Sequence, residues 1–102
     1  MKSLINFMNV EMKQTSYFQS LIISCLIEGN GKATISTIAN KAMSLKLAND
    51  EKKLISALKK YPKEVLAKHQ IATLDANVYS FVSTLCIDCT VLDAEKHLAK
   101  FL

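Results

Sequence analysis

The only two glycines of the chain, Gly29 and Gly31, flank a single asparagine, and its only proline is Pro62. Breakers at just two places favour helices over the many short, turn-punctuated strands of a sandwich or barrel. Half of its residues are hydrophobic and 22% are charged. That is enough apolar material for a packed core, and it excludes a disordered or low-complexity chain. A length of 102 residues corresponds to one domain.

The longest apolar runs, residues 21–23 and 25–27, are separated only by Ser24. Together they fall far short of the roughly 18–20 residues of a membrane span, so no membrane partner is expected. Asn6 and Asn9 interrupt the apolar stretch after Lys2, and no small-residue cleavage site follows. Three cysteines without a secretory signal read as free thiols in a cytoplasmic protein.

All thirteen basic residues are lysines, and their placement says more than the net charge of +4. Between Gly29 and Gln70 nine lysines stand against three acids, a local charge of +6, while the flanks together carry −2. A solvated face kept for solubility would account for such a block, and so would an anionic partner.

Residues 1–14 read as a short amphipathic helix or a frayed extension. Thr15 or Ser16 is placed to cap a helix running to about Glu28, with Phe18, Leu21, Ile22, Cys25 and Leu26 at helical spacing. The Gly29-Asn30-Gly31 triplet ends it, residues 32–35 read as a short strand, and Ser36 or Thr37 would cap a second helix. A third helix starts near Asn49 or Asp50 and carries Leu54, Ile55, Leu58 and Tyr61. Pro62 implies a break and a short fourth helix to about His69. Residues 71–74 and 78–82 are strand-like around the turn residues Asp75, Ala76 and Asn77. A last helix is expected from Thr90 or Asp93 to Leu102. The expected fold is therefore mainly α with a small β-hairpin, an α+β winged helix-turn-helix with extra N- and C-terminal helices. The winged-helix part spans 15–83, after an extension at 1–14 and before a linker and helix at 84–102.

The stretch from Tyr17-Phe18-Gln19-Ser20-Leu21 to Glu28-Gly29-Asn30-Gly31-Lys32-Ala33-Thr34, then Ile38-Ala39, resembles a helical module of prokaryotic restriction systems. In those proteins the module precedes an HNH-type nuclease or helicase region. The segment from Leu58-Lys59-Lys60-Tyr61-Pro62 to His69-Gln70-Ile71 is similar to that module's third and fourth helices entering its wing. The resemblance covers residues 16–82 and implies double-stranded DNA recognition as its function. It carries no catalytic residue. An HNH site needs clustered His and Asn or Asp to hold a metal, whereas His69 and His97 fall on separate elements.

The helix after Pro62 is the sharpest candidate for the DNA major groove, with Lys63 leading, Lys59 and Lys60 just before it and Lys68 near its end. Lysine lacks the planar fork of arginine, so phosphate contact should outweigh base discrimination. Ser36, Thr37 and Lys41 at the start of the second helix are candidates for a further phosphate, and Lys32 for the backbone. Ordinary capping is the plainer role for Ser36. Cys86 and Cys89 have the spacing of half a zinc site, but semi-buried thiols are the expectation, with no metal and no cofactor. No catalytic set assembles, so no enzyme activity is expected. The functional expectation is DNA binding as the recognition part of a restriction or nuclease system, with a larger nuclease or helicase chain as partner. One alternative is a transcription regulator that forms a homodimer through its terminal helices. The other is a protein-interaction module with a basic surface.

Overall fold

The computed structural model describes all of residues 1–102. The chain opens with strand β1 (Lys2–Ser3) and the single turn α1 (Leu4–Asn6), which widens into π-type turns over Phe7–Glu11. Five longer helices follow: α2 (Phe18–Glu28), α3 (Ile35–Ser44), α4 (Glu51–Leu58), α5 (Tyr61–Lys68) and α6 (Val91–Leu98). Strand β2 (Lys32–Thr34) lies between α2 and α3, strands β3 (Ala72–Asp75) and β4 (Val78–Phe81) follow α5, and β5 (Leu85–Cys86) precedes α6. The result is an α+β domain whose main sheet is antiparallel, in the order β2-β4-β3.

Helix α2 is the centre of the molecule, with every residue from Gln19 to Leu26 buried. Its cap position is Tyr17, one to two residues after the expected Thr15 or Ser16, and the Ser16 hydroxyl accepts from the Phe18 amide at 3.4 Å. The glycine triplet ends it as expected. A Cβ at Gly29 would collide with the carbonyl oxygen of Lys32, and Gly31 has φ +102°, where side chains are strained.

Helix α3 is capped by Thr34, not by Ser36 or Thr37. Thr34 pairs with Val78 across the sheet and the Ile35 amide donates to the Asn77 carbonyl at 2.9 Å, so extended backbone ends at Thr34 and the helix begins at once. The Thr34 hydroxyl accepts from the Thr37 amide at 3.1 Å. Asp50 caps α4 through the Lys53 amide at 3.1 Å, as expected. The chain breaks at Lys60, and α5 accommodates Pro62 in its first turn, where the missing amide hydrogen costs nothing.

The hairpin is tighter than three turn residues would make it. Asp75 pairs with Val78, so Ala76 and Asn77 alone make the turn, both with positive φ (48° and 65°). This is the type I′ geometry that matches strand twist.

The first residues are built into the domain. Lys2 and Ser3 pair in parallel with Leu85 and Cys86, and Leu4, Phe7 and Met8 are buried with at most 2% exposed. Asp88 receives the Ser3 hydroxyl and the Ile5 amide, which ties the start of the chain to the approach to α6. Thr90 and Asp93 form a capping box on α6, and the chain ends in a 3-10 turn over Ala99–Phe101. Leu4, Phe7 and Met8, together with Ala94 and Leu98 of α6, belong to the same 22-residue core as α2, so the flanks 1–14 and 84–102 share one interior with 15–83. No helix is long and apolar enough to cross a membrane.

Candidate nucleic-acid interface

Of the nine lysines in the basic block, eight are exposed and make no ion pair: Lys32, Lys46, Lys52, Lys53, Lys59, Lys60, Lys63 and Lys68. Their density is highest on α4 and its exit. Along that helix Lys52, Ser56 and Lys59 follow one another at i, i+4 and i+7, and so share one side. Lys53 and Lys60 add to the same exposed region, while Leu54 and Leu58 on the other side are buried. The acids of α4 itself, the cap Asp50 and Glu51 in the first turn, lie at its N-terminal end, where they complement the helix dipole.

Helix α5, singled out by the sequence, presents a more balanced surface. Pro62 and Leu66 are buried, and Lys63, Glu64, Ala67 and Lys68 are exposed. Glu64 stands between the two lysines. Lys52 and Lys53 were missing from the sequence-based set, although their spacing to Ser56, Lys59 and Lys60 was the signal available.

The candidates divide among four places. Ser36, Lys59 and Asn77 line one shallow groove of about 200 Å³, together with Ile55, so the start of α3, the end of α4 and the hairpin tip converge. Lys32, Thr37 and Lys41 line a cleft of about 720 Å³ between α2, β2 and α3. Lys68 lines a third depression, toward the N-terminal segment. Lys60 and Lys63 are exposed at the α4–α5 break.

Lys41 differs from the others. Its ammonium lies 2.6 Å from Glu28 and 3.6 Å from Glu95, with only 17% of the side chain exposed. Two carboxylates neutralise it, and a phosphate there would meet both. The Thr37 hydroxyl accepts from that of Thr34 at 3.0 Å, which leaves its own hydrogen free to donate into the cleft. Ser36, freed from capping, is exposed in the first turn of α3.

Both histidines are engaged by neighbours within the fold. The His69 ring packs on Phe7 at 5.2 Å, and its Nδ1 is 3.8 Å from Glu11. His97 is gripped on both nitrogens, by Gln14 at 2.9 Å and Asn9 at 2.8 Å. Burial, then the charge of Lys100, lowers its pKa. The three cysteines are free thiols. Burial pushes Cys25 up to about 11, and burial with the charges of Asp88 and Asp93 does the same for Cys89. Both are protonated at neutral pH and neither is an activated nucleophile. No group of three or more His, Cys, Asp or Glu is arranged to hold a metal ion.

With this geometry in hand, comparison with protein-family models, curated proteins and solved structures yields no match.

Proposed function

We propose that this chain is a winged-helix module that binds double-stranded DNA and performs no chemistry of its own. The observation that carries the reading is the exposed, unpaired lysine side of α4 next to the start of α3 and the hairpin tip. A backbone-tracking surface needs cations without carboxylate partners, and these lysines have none. The element order supports the winged helix: helix, strand, two helices joined by a turn, a further short helix, then a hairpin whose inner strand pairs with the first strand. Major-groove contact would fall to α4 together with the start of α5. The wing is short and its arm ends in Asp75, so it contributes little to phosphate binding. Base discrimination is modest, because every cation is a lysine.

The resemblance in residues 16–82 supports a role as the recognition part of a restriction or nuclease system, next to a partner chain that cuts or unwinds. The dimeric regulator finds less support, since the terminal elements place Leu4, Phe7, Met8 and Leu98 in the chain's own core.

Fluorescence anisotropy of a labelled duplex across a salt series tests this reading. Each lost phosphate contact lowers the slope of log affinity against log salt by about 0.9. A Lys52/Lys59/Lys60→Ala variant should therefore bind more weakly, with a visibly shallower slope. A wild-type protein that ignores duplex DNA even at low salt would overturn the proposal and leave an acidic protein partner as the reading to pursue.

A further inference from the structure

Cys86 and Cys89 stand at the two ends of the link from β5 toward α6, and both are half-buried free thiols. Between them lies Asp88, whose carboxylate receives the Ser3 hydroxyl and, at 2.9 Å, the Ile5 amide. Cys86 itself pairs with Ser3 in the two-stranded sheet. The dithiol thus brackets the one residue whose side chain holds Ser3 and Ile5. That hold depends on the present shape of the link: Cys86 is in strand, and Ile87 and Asp88 form no hydrogen-bonded turn. Three steps of extended chain span about 10 Å, whereas a disulfide needs its two Cα atoms within about 7 Å. Bridging Cys86 to Cys89 folds Ile87 and Asp88 into a turn and draws the Asp88 carboxylate off Ser3 and Ile5.

We propose that Cys86 and Cys89 form a redox modification site, at which a disulfide releases the start of the chain from Asp88. The oxidant is a low-molecular-weight disulfide of the glutathione class. The Cys86 thiolate attacks one of its sulfurs and expels a first thiolate, leaving a mixed disulfide. Cys89 then gives up its proton and attacks the Cys86 sulfur, expelling the second. Two cysteine thiols lose two protons and two electrons, and the oxidant leaves as two thiols. Burial, with the charges of Asp88 and Asp93, pushes Cys89 up to about 11, so it holds its proton and the first attack falls to Cys86. In the second step the mixed disulfide is close at hand, and proximity offsets the scarcity of thiolate. The bridge displaces native hydrogen bonds, which makes it a strained disulfide that cellular thiols readily reverse. Cys25 takes no part, since it is only 4% exposed inside α2 and burial pushes it up to about 11. The proposal is independent of DNA binding.

The test incubates the full chain with oxidised glutathione under native conditions and maps its peptides by mass spectrometry. The peptide carrying Cys86 and Cys89 should lose the mass of two hydrogens. Cys25 should stay reduced, which shows that the reaction takes place on the folded chain. Cys89→Ser should stop at the mixed disulfide, heavier by one glutathionyl group. Amide hydrogen exchange followed by NMR reads the release. In the oxidised protein the Ile5 amide should exchange about tenfold faster, the scale of one hydrogen bond to a charged acceptor, and dithiothreitol should restore the original rate. Asp88→Ala should exchange at the faster rate while still reduced, with no further gain on oxidation. Failure to form the bridge, or a bridge that includes Cys25, overturns the site. A Cys86–Cys89 bridge that leaves Ile5 exchange unchanged overturns the release.

Discussion

Tyr79, in the central strand of the sheet, donates its phenolic hydroxyl to the backbone carbonyl of Leu58, the last residue of α4. Both residues are fully buried, and burial pushes the Tyr79 phenol up to about 12. One bond thus fixes the end of the lysine-bearing helix relative to the sheet. Tyr79→Phe keeps the ring but strands the carbonyl, which costs roughly 1–3 kcal/mol for a buried acceptor. Urea denaturation should show a lower midpoint at an unchanged m-value, and Lys59 should lose part of its contribution to DNA binding.

Lys41 separates charge from phosphate contact. Its pairing with Glu28 and Glu95 predicts that Lys41→Met leaves the salt slope of DNA binding where it was. The two freed carboxylates make the same variant less stable, by up to about 1 kcal/mol given their exposure. A slope reduced as much as in Lys59→Ala would place Lys41 on a phosphate after all.

The two lysine helices can be set against each other. Lys52/Lys53→Ala on α4 should flatten the slope by more than Lys63/Lys68→Ala on α5, where Glu64 already offsets part of the charge. Equal effects would mean that the duplex spans both helices evenly.

Ala76 occupies a left-handed position, φ 48°, in a turn that favours glycine or asparagine there. Ala76→Gly relieves the strain of an L side chain in that region, worth about 1 kcal/mol. For a domain of this size the melting temperature should rise by roughly 4–8 °C, measurable by circular dichroism. No rise would mean that the hairpin is not part of the cooperative unit.

His97 predicts a pH dependence. A neutral ring protonated on Nε2 donates to Asn9 and accepts from Gln14, and the imidazolium has no acceptor to offer. Its folded pKa lies below the ordinary 6.5, so the unfolded chain binds the proton more readily. The stabilisation is complete above about pH 6.5 and is lost as the pH falls through the lower folded value. The melting temperature should decline between pH 7 and 5 in wild type and decline less in His97→Gln.

The breakers made much of this fold legible. Gly29 and Gly31, Asp50, Pro62 and the residues around Ala76 each act through their own backbone or an adjacent amide, so local pattern suffices to place them. The start of the chain was not legible in the same way. Ser3 and Ile5 are held by Asp88, across more than eighty residues, and a two-residue strand such as Lys2–Ser3 carries no periodicity to read. The pairing of Lys41 was not legible for the same reason, because Glu28 and Glu95 reach it from other helices. On α4 the spacing of Lys52 and Lys59 is legible in the sequence itself.

The tie between the first residues and Leu85, Cys86, Asp88 and His97 has a consequence for the order in which the molecule can be made. Lys2, Ser3 and Ile5 leave the ribosome some eighty residues ahead of Leu85, Cys86 and Asp88, which hold them. At 5–20 residues per second, that separation is a wait of roughly 4–20 s. During that interval α2 and its neighbours can collapse, and the pairing of β1 with β5 closes afterwards.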